Sequence, residues 1–220
     1  MRSRTEEVYQ AIYEEILNGD LIPNQKLLIA KLASKYDVGL SPIREALSQL
    51  VATNLVLAMP QRGFRVAPIS FQDLKDVYST RELIEQLALK LSIEKGDEMW
   101  EADLLASFHR LSHIEKKTTV TTFKEYQHWE KAHRAFNVAL IGACGLIHLL
   151  RVQENLYRET ERYRRIWFLA AMKKHQAIQF SEKQEAIMQA ALVRDEPTAT
   201  ALLHQHFENA QKLMAEYLEI

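Results

Sequence analysis

His133 and Asn137 stand four residues apart, a spacing that puts both side chains on one face of a helix. Gln184 and His206 fall on the last two helical stretches, and Arg81 on the first one after residue 70. Imidazoles, amides and a guanidinium on otherwise apolar helices make a set able to line a cavity, hydrogen-bond an anion or ligate a metal. Each also suits a plainer role as a satisfied polar residue of core or surface. Arg81 and Glu85 are again four apart. That spacing favours a surface pair worth ~0.3–0.5 kcal/mol, and the alternative turns Arg81 inward toward an anion. A metal-dependent enzyme built on His133, His148, His175 or His206 is a rival from another class. Against it, the chain has no HExxH, no acid pair at helical spacing beside a histidine and no glycine-rich phosphate loop. Cys144, the sole cysteine, sits in an apolar Gly-Ala-Cys-Gly context that suits packing better than nucleophilic attack.

A second group of residues suits nucleic acid. Ser41-Pro42-Ile43-Arg44-Glu45-Ala46-Leu47 opens an amphipathic run that continues through Leu50. Ser41 is the expected N-cap and Pro42 the expected first helical residue, where no N–H is needed. Ile43, Ala46, Leu47 and Leu50 then face inward, leaving Arg44, Ser48 and Gln49 pointing outward from the first turns. Those turns are where a recognition helix meets base edges. An ordinary capped surface helix is the alternative.

The elements around this run agree with the DNA reading. Val8, Ile12, Ile16 and Leu17 form a helical stripe that stops at Asn18-Gly19. A short second helix is predicted over Ile29–Tyr36, and Asp37-Val38-Gly39 turns the chain into the Ser41 helix. Two short helices joined through a turn containing glycine form a helix-turn-helix. Leu55-Val56-Leu57 and Phe64-Arg65-Val66 flank Pro60-Gln61-Arg62-Gly63, a hairpin with a basic tip: a wing, or else a plain surface hairpin.

Four of the five prolines lie at or before position 68. Beyond them helical patterns follow at 71–95, 100–116, 122–142, 146–173, 181–193 and 197–219. The fold class is therefore mainly α: a winged helix-turn-helix over 1–69 and an all-helical antiparallel bundle over 70–220. An apolar content of 47% supports real cores, and the net charge of −1 means that a DNA reader must place its cations locally. Through residue 69 eight cations face seven anions, a matter of placement and not excess. The lone thiol permits no intrachain disulfide, and no signal peptide or membrane span of ~20 apolar residues is visible. A cytoplasmic protein is expected.

Residues 8–69 resemble the winged-helix domain of the GntR family of bacterial transcription regulators. The matching pieces are Asn18–Pro23, Lys31-Leu32-Ala33, Pro42–Leu47, Leu50–Val56 and Gly63-Phe64-Arg65-Val66. The resemblance implies that Arg44, with Ser41, Ser48 and Gln49, enters the major groove of double-stranded operator DNA. The Gln61-Arg62-Gly63 tip then touches the minor groove, and Lys26 and Lys35 hold phosphates. The family usually carries Ser-Arg where this chain has Gly39-Leu40, which removes one expected DNA contact. From Phe71 to Tyr217 the chain resembles the FCD-type effector domain of the FadR branch, through Arg81–Glu85, His133–Asn137, Tyr163-Arg164-Arg165, Gln184–Ile187, Arg194-Asp195 and His206.

Many FCD domains hold a divalent metal through one aspartate and three histidines. By resemblance those ligands fall at His133, Asn137, Gln184 and His206, so only His206 keeps the family's residue. Neutral amides are poor ligands for Zn or Ni. A degenerate metal site is expected, with Arg81, His133, Asn137, Gln184 and His206 forming a metal-free effector pocket. Gly96–Asp103 and Gly142–Gly145 resemble the carbon-starvation regulator subgroup, which responds to small dicarboxylates such as glutarate. The reading is a homodimeric regulator and not an enzyme: a repressor without cofactor, controlled by a small carboxylate. Sequence-independent DNA binding is a third class, marked by steep salt dependence.

Overall fold

The computed structural model describes residues 3–117, 120, 122–173, 183–216 and 218. His175 and Tyr217 lie outside them. Helix α1 (Arg4–Asn18) is capped by the Ser3 hydroxyl, which accepts from Glu6 N at 3.2 Å. It buries Val8, Ile12, Ile16 and Leu17 and ends at Gly19, whose φ of 79° closes the helix in the left-handed region. Helix α2 spans Ile29–Tyr36 and α3 spans Leu40–Ala52. Ile43, Ala46, Leu47 and Leu50 of α3 are buried against α1 and α2.

The start of α3 corrects one expectation. Gly39, not Ser41, occupies the N-cap, with no side-chain cap bond, and the helix begins at Leu40. Pro42 is then the third helical residue. All N–H groups of the first turn lack intrahelical partners, so proline fits anywhere within it and fixes the turn without fixing its first residue.

Strands β2 (Val56–Met59) and β3 (Gly63–Val66) pair antiparallel, Val56 opposite Val66 and Met59 opposite Gly63. Gln61 (φ 58°) and Gly63 (φ 87°) make the reversal. A two-residue strand β1 (Lys26–Leu27), which the sequence patterns missed, joins the other edge of β3 and gives the order β1-β3-β2.

The helical part comprises α4 (Phe71–Lys95), α5 (Glu98–Lys117), α6 (Phe123–Ile141), a 3-10 turn at Gly142–Cys144, α7 (Ile147–Lys173), α8 (Lys183–Leu192) and α9 (Glu196–Ala215). Ser70, Thr122 and Asp195 cap α4, α6 and α9, and Thr122 with Glu125 forms a reciprocal capping box. Helix α4 packs against α6, α7 and α9. The apolar core of this bundle is distinct from that of the winged helix. Cys144 is buried in it. No helix among the described residues is long and apolar enough to cross a membrane.

Helix α7 also carries the winged helix. Tyr13 Oη donates to Glu161 at 2.7 Å, Asn54 Nδ2 to Glu159 at 2.7 Å, and Arg165 Nη2 to Glu14 at 3.3 Å and to Asn18. Arg162 binds Asp73 at 2.9 Å.

Candidate functional site

Two places concentrate the chemistry. On the winged helix, Ser41, Arg44, Ser48 and Gln49 are exposed on the side of α3 opposite its buried stripe. Gln61, Arg62 and Gly63 are exposed at the wing tip. Lys26 and Arg65 are directly opposed across β1 and β3, so their side chains share one sheet face, and both are exposed. Among the described residues Lys26, Arg44, Arg62 and Arg65 enter no ion pair. Lys35 differs: its ammonium lies 2.5 Å from Glu15, so it is ion-paired within the fold.

In the bundle, a cavity of about 140 Å³ opens between α4, α6, α7, α8 and α9. Arg81, His133, Gln184 and His206 all line it. Asn137 lies one turn behind His133, and its amide nitrogen is bonded to the His133 carbonyl at 3.0 Å. The sequence patterns missed Arg164, which joins Arg81 on the wall, and the Trp129, Trp167 and Phe207 rings that enclose it. Arg164 lies inside the Tyr163-Arg164-Arg165 motif, so a signal for it was present.

The Arg81–Glu85 pair is not on the surface, contrary to what its spacing favoured. Arg81 is 4% and Glu85 2% exposed, because α4 is enclosed by α6, α7 and α9. Arg81 Nε donates to Glu85 at 2.7 Å, and Gln153 Nε2 donates to the same oxygen at 2.7 Å. Behind the same wall, Arg164 grips Glu130 through Nη2 at 2.6 Å and Nε at 3.2 Å. Both guanidiniums lie over the Tyr157 ring, Arg81 at 4.6 Å and Arg164 at 4.3 Å from its centroid. Glu85 and Glu130 do not line the cavity, so it presents guanidinium to its contents while the carboxylates sit behind.

Burial alone would raise the Glu130 carboxyl, but Arg164 outweighs it and holds the group at about 2. Burial pushes His133 down to about 3, against the pull of Glu130, so its ring is neutral at pH 7. Its tautomer follows from its partners. Tyr157 Oη donates to the ionised Glu130 at 2.9 Å, so its own oxygen must accept from His133 Nδ1 at 3.1 Å. Nε2 is then the bare nitrogen, faced by the Asn137 amide at 3.3 Å.

These donors do not suit the divalent metal of the family. Two imidazoles whose centroids are 6.4 Å apart and two neutral amides bring no carboxylate, and Glu130 is committed to Arg164. Among the described residues no group of three or more His, Cys, Asp or Glu is placed to hold a metal ion.

Exposed cations on a recognition helix and wing, carried by a bundle with an internal cavity lined by two guanidiniums, define a winged-helix DNA-binding protein with a second helical domain. Residues 4–66 match the bacterial regulatory proteins of the gntR family, and residues 76–209 match the FCD domain. The chain belongs to the GntR family of bacterial transcription regulators, in the branch that carries an FCD domain. It is 38% identical to the HTH-type transcriptional regulator BphR of Paraburkholderia xenovorans over 99% of this chain and 87% of the relative. It is 37% identical to the HTH-type transcriptional repressor GlaR of Escherichia coli over 90% of each. The fold is shared with the solved structure of E. coli McbR/YncC, at 19% identity and a TM-score of 0.72, over 98% of this chain and 99% of the other. The family is one of regulators and not enzymes, so the histidine-based enzyme alternative has no support.

Proposed function

We propose that the chain is a homodimeric repressor that leaves its operator when a small organic acid, a dicarboxylate by kinship, enters the bundle cavity without a metal. The winged helix takes residues 1–69 and the effector domain 70–220. The observation that carries the acid is the pair of buried guanidiniums, Arg81 and Arg164, on one cavity wall with their carboxylates behind it. A relative 37% identical is named a transcriptional repressor, which supports the sign of control. Arg44 reads bases, with Ser48 and Gln49 beside it, while Lys26 and the wing hold phosphates. Lys35, bound to Glu15, contributes less to DNA than its position suggested.

Helix α7 links the two functions. Tyr157 and Arg164 stand at the cavity side, and Glu161 and Arg165 reach α1. An acid that prefers one placement of α7 biases the DNA heads by that preference and no more. The test is a thermal-shift screen of chelator-treated protein against mono- and dicarboxylates, with and without Zn, Ni and Mn, followed by operator release in a gel shift. Stabilisation by an acid without metal, together with release of operator DNA, is expected. Stabilisation only in the presence of metal would overturn the metal-free pocket.

A further inference from the structure

We propose that the acid taken by this cavity carries its own hydrogen-bond donor, a hydroxyl or an amino group, and that the Gln184 amide oxygen accepts from it. This rests on the cavity being an organic-acid site. Gln184 is 5% exposed and lines the cavity. Among the described residues lining the cavity, its Oε1 is the only buried side-chain polar atom without a hydrogen-bond partner.

Several nearby polar groups are already matched. Arg81 and Arg164 hold Glu85 and Glu130, the Tyr157 hydroxyl proton goes to Glu130, and the Asn137 amide covers His133 Nε2. A carboxylate has only acceptors. It suits the two guanidiniums and leaves the Gln184 oxygen unpaired. An O–H or N–H on the same molecule fills that position. A buried acceptor left unpaired discriminates strongly against the ligand that fails to fill it. Trp129 and Trp167 line the same cavity, and an apolar lining raises the cost of an unpaired polar atom within it. The cavity thus selects hydroxy or amino acids over their deoxy counterparts.

The experiment is calorimetric titration of the full chain with acids that differ by one donor. Malate and aspartate are set against succinate, lactate against propionate, and mandelate against phenylacetate. Each is run on wild type and on Gln184→Met, which keeps the length and removes the amide. In at least one set the donor-bearing acid should bind wild type about ten-fold tighter or more. That preference should shrink to within about two-fold in Gln184→Met, with the deoxy acid bound alike by both proteins. If Gln184→Met does not fold, the wild-type comparison decides alone. Deoxy acids that bind wild type as tightly as their donor-bearing partners in every set that binds overturn the role of Gln184 and leave the acid site standing. Failure of every acid to bind wild type overturns the acid site, and this inference with it.

Discussion

Arg81 and Arg164, from α4 and α7, donate to the same oxygen: Thr160 Oγ1 accepts from Arg81 Nη1 at 3.1 Å and from Arg164 Nη1 at 2.8 Å. Two like charges are thereby held on one cavity wall, each balanced from behind by its own carboxylate. Such a wall is pre-organised for the proposed acid, which lowers the reorganisation that its binding would require.

Thr160→Val keeps the shape and removes the shared acceptor. Two buried guanidinium N–H groups lose their partner, at a cost of about 1–3 kcal/mol. For a chain of this length that is a fall in Tm of about 2–12 °C. Acid affinity should fall as well, since both guanidiniums gain freedom. A Tm that falls by less than about 1 °C, below the range that the lost bonds predict, would remove Thr160 from its bridging role.

The buried ionisable groups set a pH dependence. His133 has its folded value lowered to about 3 from an ordinary 6.5, so the unfolded chain takes up that proton first as pH falls. Stability from this group is complete above pH ~6.5 and is lost on going down toward ~3, with a slope approaching about 1.4 kcal/mol per pH unit. Glu130, held at about 2 against an ordinary 4.5, adds its own loss below ~4.5 by the same sign. Denaturant titrations between pH 5 and 7 should show His133→Gln with a flatter profile than wild type; parallel profiles would mean that His133 is not the buried neutral group.

Much of this fold is legible in the residues, and the limits have physical causes. The α1 stripe, Gly19 and the hairpin around Arg62 and Gly63 are local signals that burial leaves intact. The start of α3 was misplaced by two residues because serine and proline are compatible with several first-turn positions. Strand β1 is two residues long and exists only because β3 offers an edge. The Arg81–Glu85 spacing is identical on a surface and in a core, so only the helices around α4 decide between them. Arg164 and Glu130 are 34 residues apart, and no periodicity in either helix announces their pairing. Residue type and helix placement grouped His133, Asn137, Gln184 and His206 as candidates; helical spacing linked only His133 to Asn137, and the match of the four to metal-ligand positions came from family resemblance.

Operator binding divides by contact type. Arg44→Ala should cost about 1–3 kcal/mol on the operator and relax sequence preference. Arg62→Ala and Lys26→Ala should weaken all sequences alike and each lower the salt slope by roughly one phosphate's worth. Lys35→Ala should change the slope less, because its charge is already spent on Glu15. Fluorescence anisotropy at several salt concentrations, on operator and random duplexes, separates these outcomes. Equal loss on both duplexes for Arg44→Ala would make it a phosphate contact.

The last prediction concerns how the cavity and the DNA heads communicate. Tyr13 and Arg165 clamp α1 to α7 through Glu161, Glu14 and Asn18, three turns or fewer along α7 from Tyr157 and Arg164. The variant Tyr13→Phe/Arg165→Met removes the polar clamp and leaves both the cavity wall and the α3 surface unaltered. Its acid affinity should stay within about two-fold of wild type, and its operator affinity without acid should change little. The coupling between them, ordinarily worth about 1–3 kcal/mol in such regulators, should shrink toward zero. Coupling is reciprocal, so the same loss must appear when acid affinity is measured with and without operator DNA. A coupling factor equal to wild type in both directions would mean that the signal leaves the bundle by another route, and α7 would then be a support and not a transmitter.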